Sequence, residues 1–361
     1  MEDFSRGDTL FDLPERPADG LGPLYTSDNC GACHRDAARG PGLVKKMSMV
    51  EADGFTPALD QSALAWGHTV HPLTIAPATT PIEPPPDPRV RVSVRLGPPL
   101  LGRGYLEAID DAEIERNAAE ETTLGLVHGR INRVHYASEA NPDQRFFNYQ
   151  KGDLAIGRFG IKARIATLDD FTADALAFDM GITSPLRPDE FPNPDGLLDD
   201  QKPGVDITAD SLNARAMYVR LLEIPERSAG HEAGAELFTR VQCSACHVPV
   251  LHTRKDYPIA ALADIDARIY SDLLLHDMGP TLSDGMANGV DGTATATELR
   301  SAPLIGLRFC RSFLHDGRAA SIRDAIQLHE GPGSDANSSL ARFTALSGDE
   351  QQALLDFVGS L

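Results

Sequence analysis

Apolar residues recur every three or four positions over 105–121, 167–178, 212–222, 229–242, 321–329 and 348–360, which predicts a helix in each. The last opens on Ser347-Gly-Asp-Glu350, with Ser347 as the N-cap and Glu350 at the capping-box position. Arg89-Val-Arg-Val-Ser-Val-Arg-Leu96 alternates strictly and predicts one short strand. It lies within 72–99, a stretch whose nine prolines rule out a helix. Residues 1–29 read as an irregular arm ending in a Gly20-Leu-Gly-Pro turn, and a linker is expected near Pro225. The longest apolar runs fall far short of the ~18–20 residues of a membrane span.

A length of 361 residues suggests two domains, and an apolar share of 42% supplies a real core. Lys and Arg number 33 against 53 Asp and Glu, a formal charge of −20. This balance argues against nucleic acid and anionic membranes as partners, because both need clustered cations.

The cysteines decide the chemistry. Four of the five form Cys30-Gly-Ala-Cys33-His34 and Cys243-Ser-Ala-Cys246-His247. Two cysteines three apart on one helical turn point the same way and can add to the two vinyl groups of a haem. The adjacent histidine then ligates the iron, which makes C-x-x-C-H a c-type haem attachment site. A zinc site would need two further ligands at finger-like spacing near each pair, and none follows. A thioredoxin-type motif would need a βαβ setting, which is missing. The fifth cysteine, Cys310, reads as a buried small apolar residue.

Two covalent haems are therefore expected, bound by Cys30, Cys33 and His34 and by Cys243, Cys246 and His247. The expected fold is mainly α: two cytochrome c-like haem domains, 1–224 and 225–361. The N-terminal one is enlarged by the Pro-rich loop and short strand. Covalent haem is attached outside the bacterial cytoplasm. A periplasmic location follows as an expectation, with the export signal removed or lying upstream of residue 1.

The chain resembles the bacterial di-haem oxidoreductases of the peroxidase type, also labelled thiol oxidoreductase-like. These are distantly similar to di-haem cytochrome c peroxidases and to the methylamine-dehydrogenase maturation enzyme. The resemblance rests on both haem motifs together with Gly129-Arg-Ile-Asn-Arg-Val134, Gly157-Arg-Phe-Gly-Ile-Lys-Ala163, Asp179-Met-Gly-Ile-Thr-Ser-Pro185, Asp272-Leu-Leu-Leu-His-Asp-Met-Gly-Pro280 and Phe313-Leu-His-Asp-Gly-Arg-Ala319. It implies reduction of hydrogen peroxide or a related oxidant at the first haem. Electrons would enter through the second from a small cytochrome- or cupredoxin-type donor. Two other readings stay open: a di-haem carrier without chemistry of its own, and a maturation-type enzyme that oxidises a protein partner.

The resemblance also assigns residues. A ligand fourteen positions after the His of the His-Asp-Gly segment maps to His329, with Met278 and His276 as rivals. The acid–base carboxylate maps to Asp179, one methylene shorter than the Glu of the peroxidases. For the sixth position of the first iron the candidates are His128, His71, His68 and Met180. A calcium ion between the haems would use Asn132 and the backbone of Cys310 and Ser312. Where the relatives carry a Trp between the haems, this chain has Phe159, which is hard to oxidise. Its single Trp is Trp66.

Overall fold

The computed structural model describes residues 2–35, 43–97, 99–124, 127–197 and 204–361. The architecture is mostly helical, with five two-stranded antiparallel sheets among the described residues. No described helix is long and apolar enough to cross a membrane.

The predicted helices form, with adjusted ends: Leu168–Met180, Ala209–Leu221, Glu232–Arg240, Ile322–Gln327 and Gly348–Ser360. Thr167, Thr208 and Ser321 cap three of them through side-chain oxygens. Ser347 and Glu350 form the expected capping box. The 105–121 stretch is two helices, Arg103–Ala108 and Asp111–Leu124. The chain leaves the first at Ile109, and the Asp110 carboxylate accepts from Ala112 N at 3.0 Å to start the second.

The N-terminal arm is a correction. Glu2–Asp12 is a helix. Phe4 and Phe11 both pack tilted against Tyr218, each with ring centroids 5.2 Å apart. Between them Gly7 lies so near the Ala214 carbonyl that a Cβ would come within 2.2 Å of it. The apolar face is sparse, so its helical period shows only once its partner, Ala209–Leu221, is in place. A helix over Asn337–Thr344, polar except for Leu340, Ala341 and Phe343, is likewise unsignalled in the sequence.

The predicted strand is Val90–Leu96, paired in register with Leu43–Met49 so that Lys46 faces Ser93 across the ladder. Its end touches both haem motifs' surroundings. Leu96 N donates to His315 O at 2.8 Å, and Gly97 packs on His34, leaving a Cβ 3.3 Å from the ring.

The largest apolar cluster joins Leu106, Ile109, Ile156, Phe159 and Leu168 to Leu251, Ile269, Leu274 and Ile305, so residues on both sides of the 225 boundary share it. Beside it, buried Arg220 donates to Glu107 Oε2 at 2.6 Å and to Asp169 Oδ2 at 2.6 Å. Tyr257 donates to Glu107 at 2.7 Å. Arg220→Met would strand two buried carboxylates, and a loss of about 3–5 kcal/mol is expected. Urea unfolding followed by circular dichroism checks this; an unmoved midpoint would show the network to be neutral.

Candidate haem sites

The first site is built by a backbone junction. The helix Leu168–Met180 ends at Gly181, whose positive φ of 69° and close approach to Gly22 O exclude a side chain. The strand leading to Cys30 docks on that helix end: Gly22 N donates to Met180 O at 2.9 Å and Thr26 N to Asp179 O at 2.7 Å. Asn29 then caps the Cys30–Cys33 turn by accepting from Ala32 N at 2.6 Å. Phe11 stands 6.2 Å from the His34 ring.

This brings the Asp179 carboxylate near enough for its charge to act on both thiols. Burial pushes the Cys33 thiol up to about 11, and the Asp179 charge adds to it. Asp179 accepts no hydrogen bond among the described residues. Burial raises its carboxyl to about 6 against the pull of Lys46, with Asp174 reinforcing the rise. Lys46, absent from the sequence candidates, is half-buried and donates to Thr69 Oγ1 at 2.6 Å, and desolvation lowers it to about 8. Behind them runs an ion network. Asp174 holds Arg164, Arg164 reaches Asp291 at 3.6 Å, and Asp291 holds Arg95 at 2.6 Å.

The distal candidates for the first iron scatter. Met180 packs in an apolar cluster with Leu21, Leu176, Ile182 and Leu212. His71 Nε2 donates to the Phe178 carbonyl at 2.6 Å, so that nitrogen carries the proton. His68 Nδ1 bonds Met47 O at 2.9 Å. Both line, with Trp66, Phe178 and Phe191, a cavity of about 250 Å³ that includes none of Cys30, Cys33 and His34. His128 is brought to the second site, its side chain 77% exposed and Nδ1 3.0 Å from Asp335.

The second site is a largely apolar cavity of about 260 Å³, open on one side, lined by Cys243, Cys246, His247 and His329 and walled by residues such as Phe238 and Leu304. His247 Nδ1 lies 3.1 Å from Tyr270 O, and His329 Nδ1 lies 2.7 Å from Ala325 O. A carbonyl can only accept, so both rings carry the proton on Nδ1 and keep the Nε2 lone pair for a metal. Burial, then the neighbouring His329, lowers His247 to about 4, and burial lowers His329 too. Both are neutral and competent to ligate. This donor set and its apolar walls fit a c-type haem.

The rivals differ. Met278 lines the same cavity. His276 Nε2 is held by Asp272 Oδ2 at 2.8 Å, and this pairing, against burial, keeps the imidazole protonated well above its ordinary value. Ligand atoms of Cys246, Asp272 and His276 lie within 4.8 Å of one another, yet a protonated ring offers no lone pair. Cys310 also lines the cavity, and all five cysteines are free of disulfides.

Asn132 does not fit calcium. Its amide donates to Lys162 O at 2.8 Å and Asp291 O at 2.9 Å, and its oxygen accepts from Thr293 N and Thr293 Oγ1 at 3.0 and 2.9 Å. The oxygen that would bind the ion is used. Nearby, the Lys162 ammonium already sits 3.0 Å from Asp284. Phe159 is in the core, edge-on to Phe171.

Residues 87–361 match the family described as "Di-haem oxidoreductase, putative peroxidase". No curated protein sequence matches the chain. Among solved structures, hydrazine synthase from Kuenenia stuttgartiensis is similar at 14% identity and a TM-score of 0.42, over 100% of this chain and 87% of that one. A variant of the diheme peroxidase BthA from Burkholderia thailandensis is similar at 14% identity and a TM-score of 0.35, over 90% and 70%.

Proposed function

Because this chain belongs to the di-haem oxidoreductase family, we propose that it reduces hydrogen peroxide at the Cys30/Cys33/His34 site with electrons collected at the Cys243/Cys246/His247 site. The carrying observation is Asp179, a half-buried carboxylate that accepts no hydrogen bond among the described residues, near enough to the first pair of thiols for its charge to act on both, and raised to about 6.

The first haem, when bound, supplies an iron with an exchangeable position and the electrons for O–O cleavage. The protein's part is proton handling. Near neutral pH Asp179 is ionised and takes a proton from the incoming peroxide. It returns that proton to the oxygen that leaves as water. Lys46 keeps the carboxylate from being protonated outright by opposing the effect of burial. Gly181 and the Thr26–Asp179 backbone bond fix where the carboxylate stands. At the second site, Tyr270 O and Ala325 O orient His247 and His329, so that this centre changes charge with little movement of its ligands.

The excess of acidic residues suits a basic electron donor by charge complementarity, a small cytochrome or cupredoxin of the periplasm. The test uses the mature holo protein and a variant with Cys30 and Cys33 both replaced by Ala. The variant is expected to retain one covalent haem and its reducible second centre while peroxide turnover falls to background. Recovery of two covalent haems, or of wild-type turnover, would overturn the assignment.

A further inference from the structure

The cavity that holds His247 and His329 is apolar on most sides, but Arg103 and Arg300 also line it. Arg300 closes the strand Glu298–Arg300 and is buried. Its Nε donates to Gly160 O at 3.0 Å and its Nη1 to Ser301 O at 2.6 Å. Both partners are neutral carbonyls. Nη2 makes no hydrogen bond among the described residues, and no described carboxylate lies within ion-pair distance. Other deeply buried arginines differ: Arg158 holds Asp111, Arg215 holds Glu15, and Arg220 holds Glu107 and Asp169.

A buried guanidinium without a counter-charge is costly, and a free Nη2 on a cavity wall is a carboxylate receptor. Burial, only partly opposed by the more distant Asp272, lowers this guanidinium to about 10. The chain's own nearest acid is unavailable, since Asp272 is spent on His276, Ser301 and Leu274 N. A c-type haem brings two carboxylates of its own, its propionates.

We propose that Arg300 binds a propionate of the second haem through Nη2, with Arg103 as a further cation in the same lining, and so holds up that haem's reduction potential. The inference rests on the two-haem reading. Arg300 also ties this haem to the first unit, because its backbone N donates to Ile161 O at 2.8 Å and its Nε to Gly160 O. The propionate end of the second haem would then lie against the Gly157–Ala163 segment.

The sign follows from charge. A cation beside the haem disfavours the ferric state, so its loss favours oxidation. In Arg300→Gln holo protein at pH 8, optical redox titration should show the oxidised-to-reduced ratio of the second haem about tenfold higher at a fixed applied potential. That corresponds to about 59 mV for a one-electron couple. The shift should shrink as pH falls and the unshielded propionate takes up a proton, while the first haem stays unmoved. Arg300→Lys keeps the charge and loses the fork. It should titrate near wild type, with the propionate bending band of the second haem displaced in the resonance Raman spectrum.

Both variants titrating as wild type at every pH, with two haems attached, would overturn the proposal alone. If Arg300→Gln fails to fold, the Arg300→Lys protein decides: an undisplaced propionate band overturns it. A haem stain showing a single covalent haem in the wild-type protein would overturn the two-haem reading and this proposal with it.

Discussion

Asp179→Asn is expected to slow peroxide turnover by about 10²-fold, the lower end of what a positioned acid–base group contributes. Asn keeps the volume and can hydrogen-bond, but it cannot cycle a proton. The pH profile separates this role from a structural one. With the carboxyl raised to about 6 by burial, the ionised form prevails above that pH. Wild-type turnover should therefore fall as pH drops through about 6. The Asn variant, having no such group, should lack that limb and run flat at its low rate. Reduction of the second haem should be unchanged, and both haems should remain attached. Unchanged turnover would reduce Asp179 to a helix-end residue and favour a pure electron carrier.

His329→Ala is expected to convert one of the two irons completely, from low-spin to high-spin or to water as its sixth ligand. The variant keeps His247, whose Nδ1 is still held by Tyr270 O. It removes the second neutral Nε2 from the cavity. The reduction potential of that haem should change along with its spectrum. If spectrum and potential both match the wild type, the ligand lies elsewhere, and Met278, on the same cavity, is the residue to replace next.

The haem motifs are legible in the sequence because their chemistry needs contiguous residues: two thiols one turn apart and the next side chain on the iron. His329 and Asp179 are legible only through the spacing that the family resemblance supplies, fourteen residues after His315 in one case and the Asp-Met pair in the other. The structure puts each beside a haem motif. Lys46 and Arg300 are not legible. Lys46 becomes half-buried only when Leu43–Met49 pairs with Val90–Leu96, and Arg300 buried only when its strand docks on Gly160 and Ile161.

His128 shows the same limit from the other side. Four residues before Asn132 it reads as a neighbour of the first haem, but its actual partner is Asp335, 207 positions away. Sequence spacing carries information within a turn or a helix; which unit a loop folds against is decided by long-range packing such as the shared cluster around Leu106 and Leu274. The N-terminal helix follows this pattern too, since Phe4 and Phe11 pack on Tyr218, more than 200 positions away.

The ligand set of the two irons tests the central claim most directly. Near-infrared magnetic circular dichroism of the oxidised holo protein should show one bis-imidazole low-spin haem, indifferent to cyanide. It should also show a second iron that is high-spin, or that changes its spectrum when cyanide is added. Two low-spin six-coordinate irons, both unmoved by cyanide and by peroxide, would contradict the account.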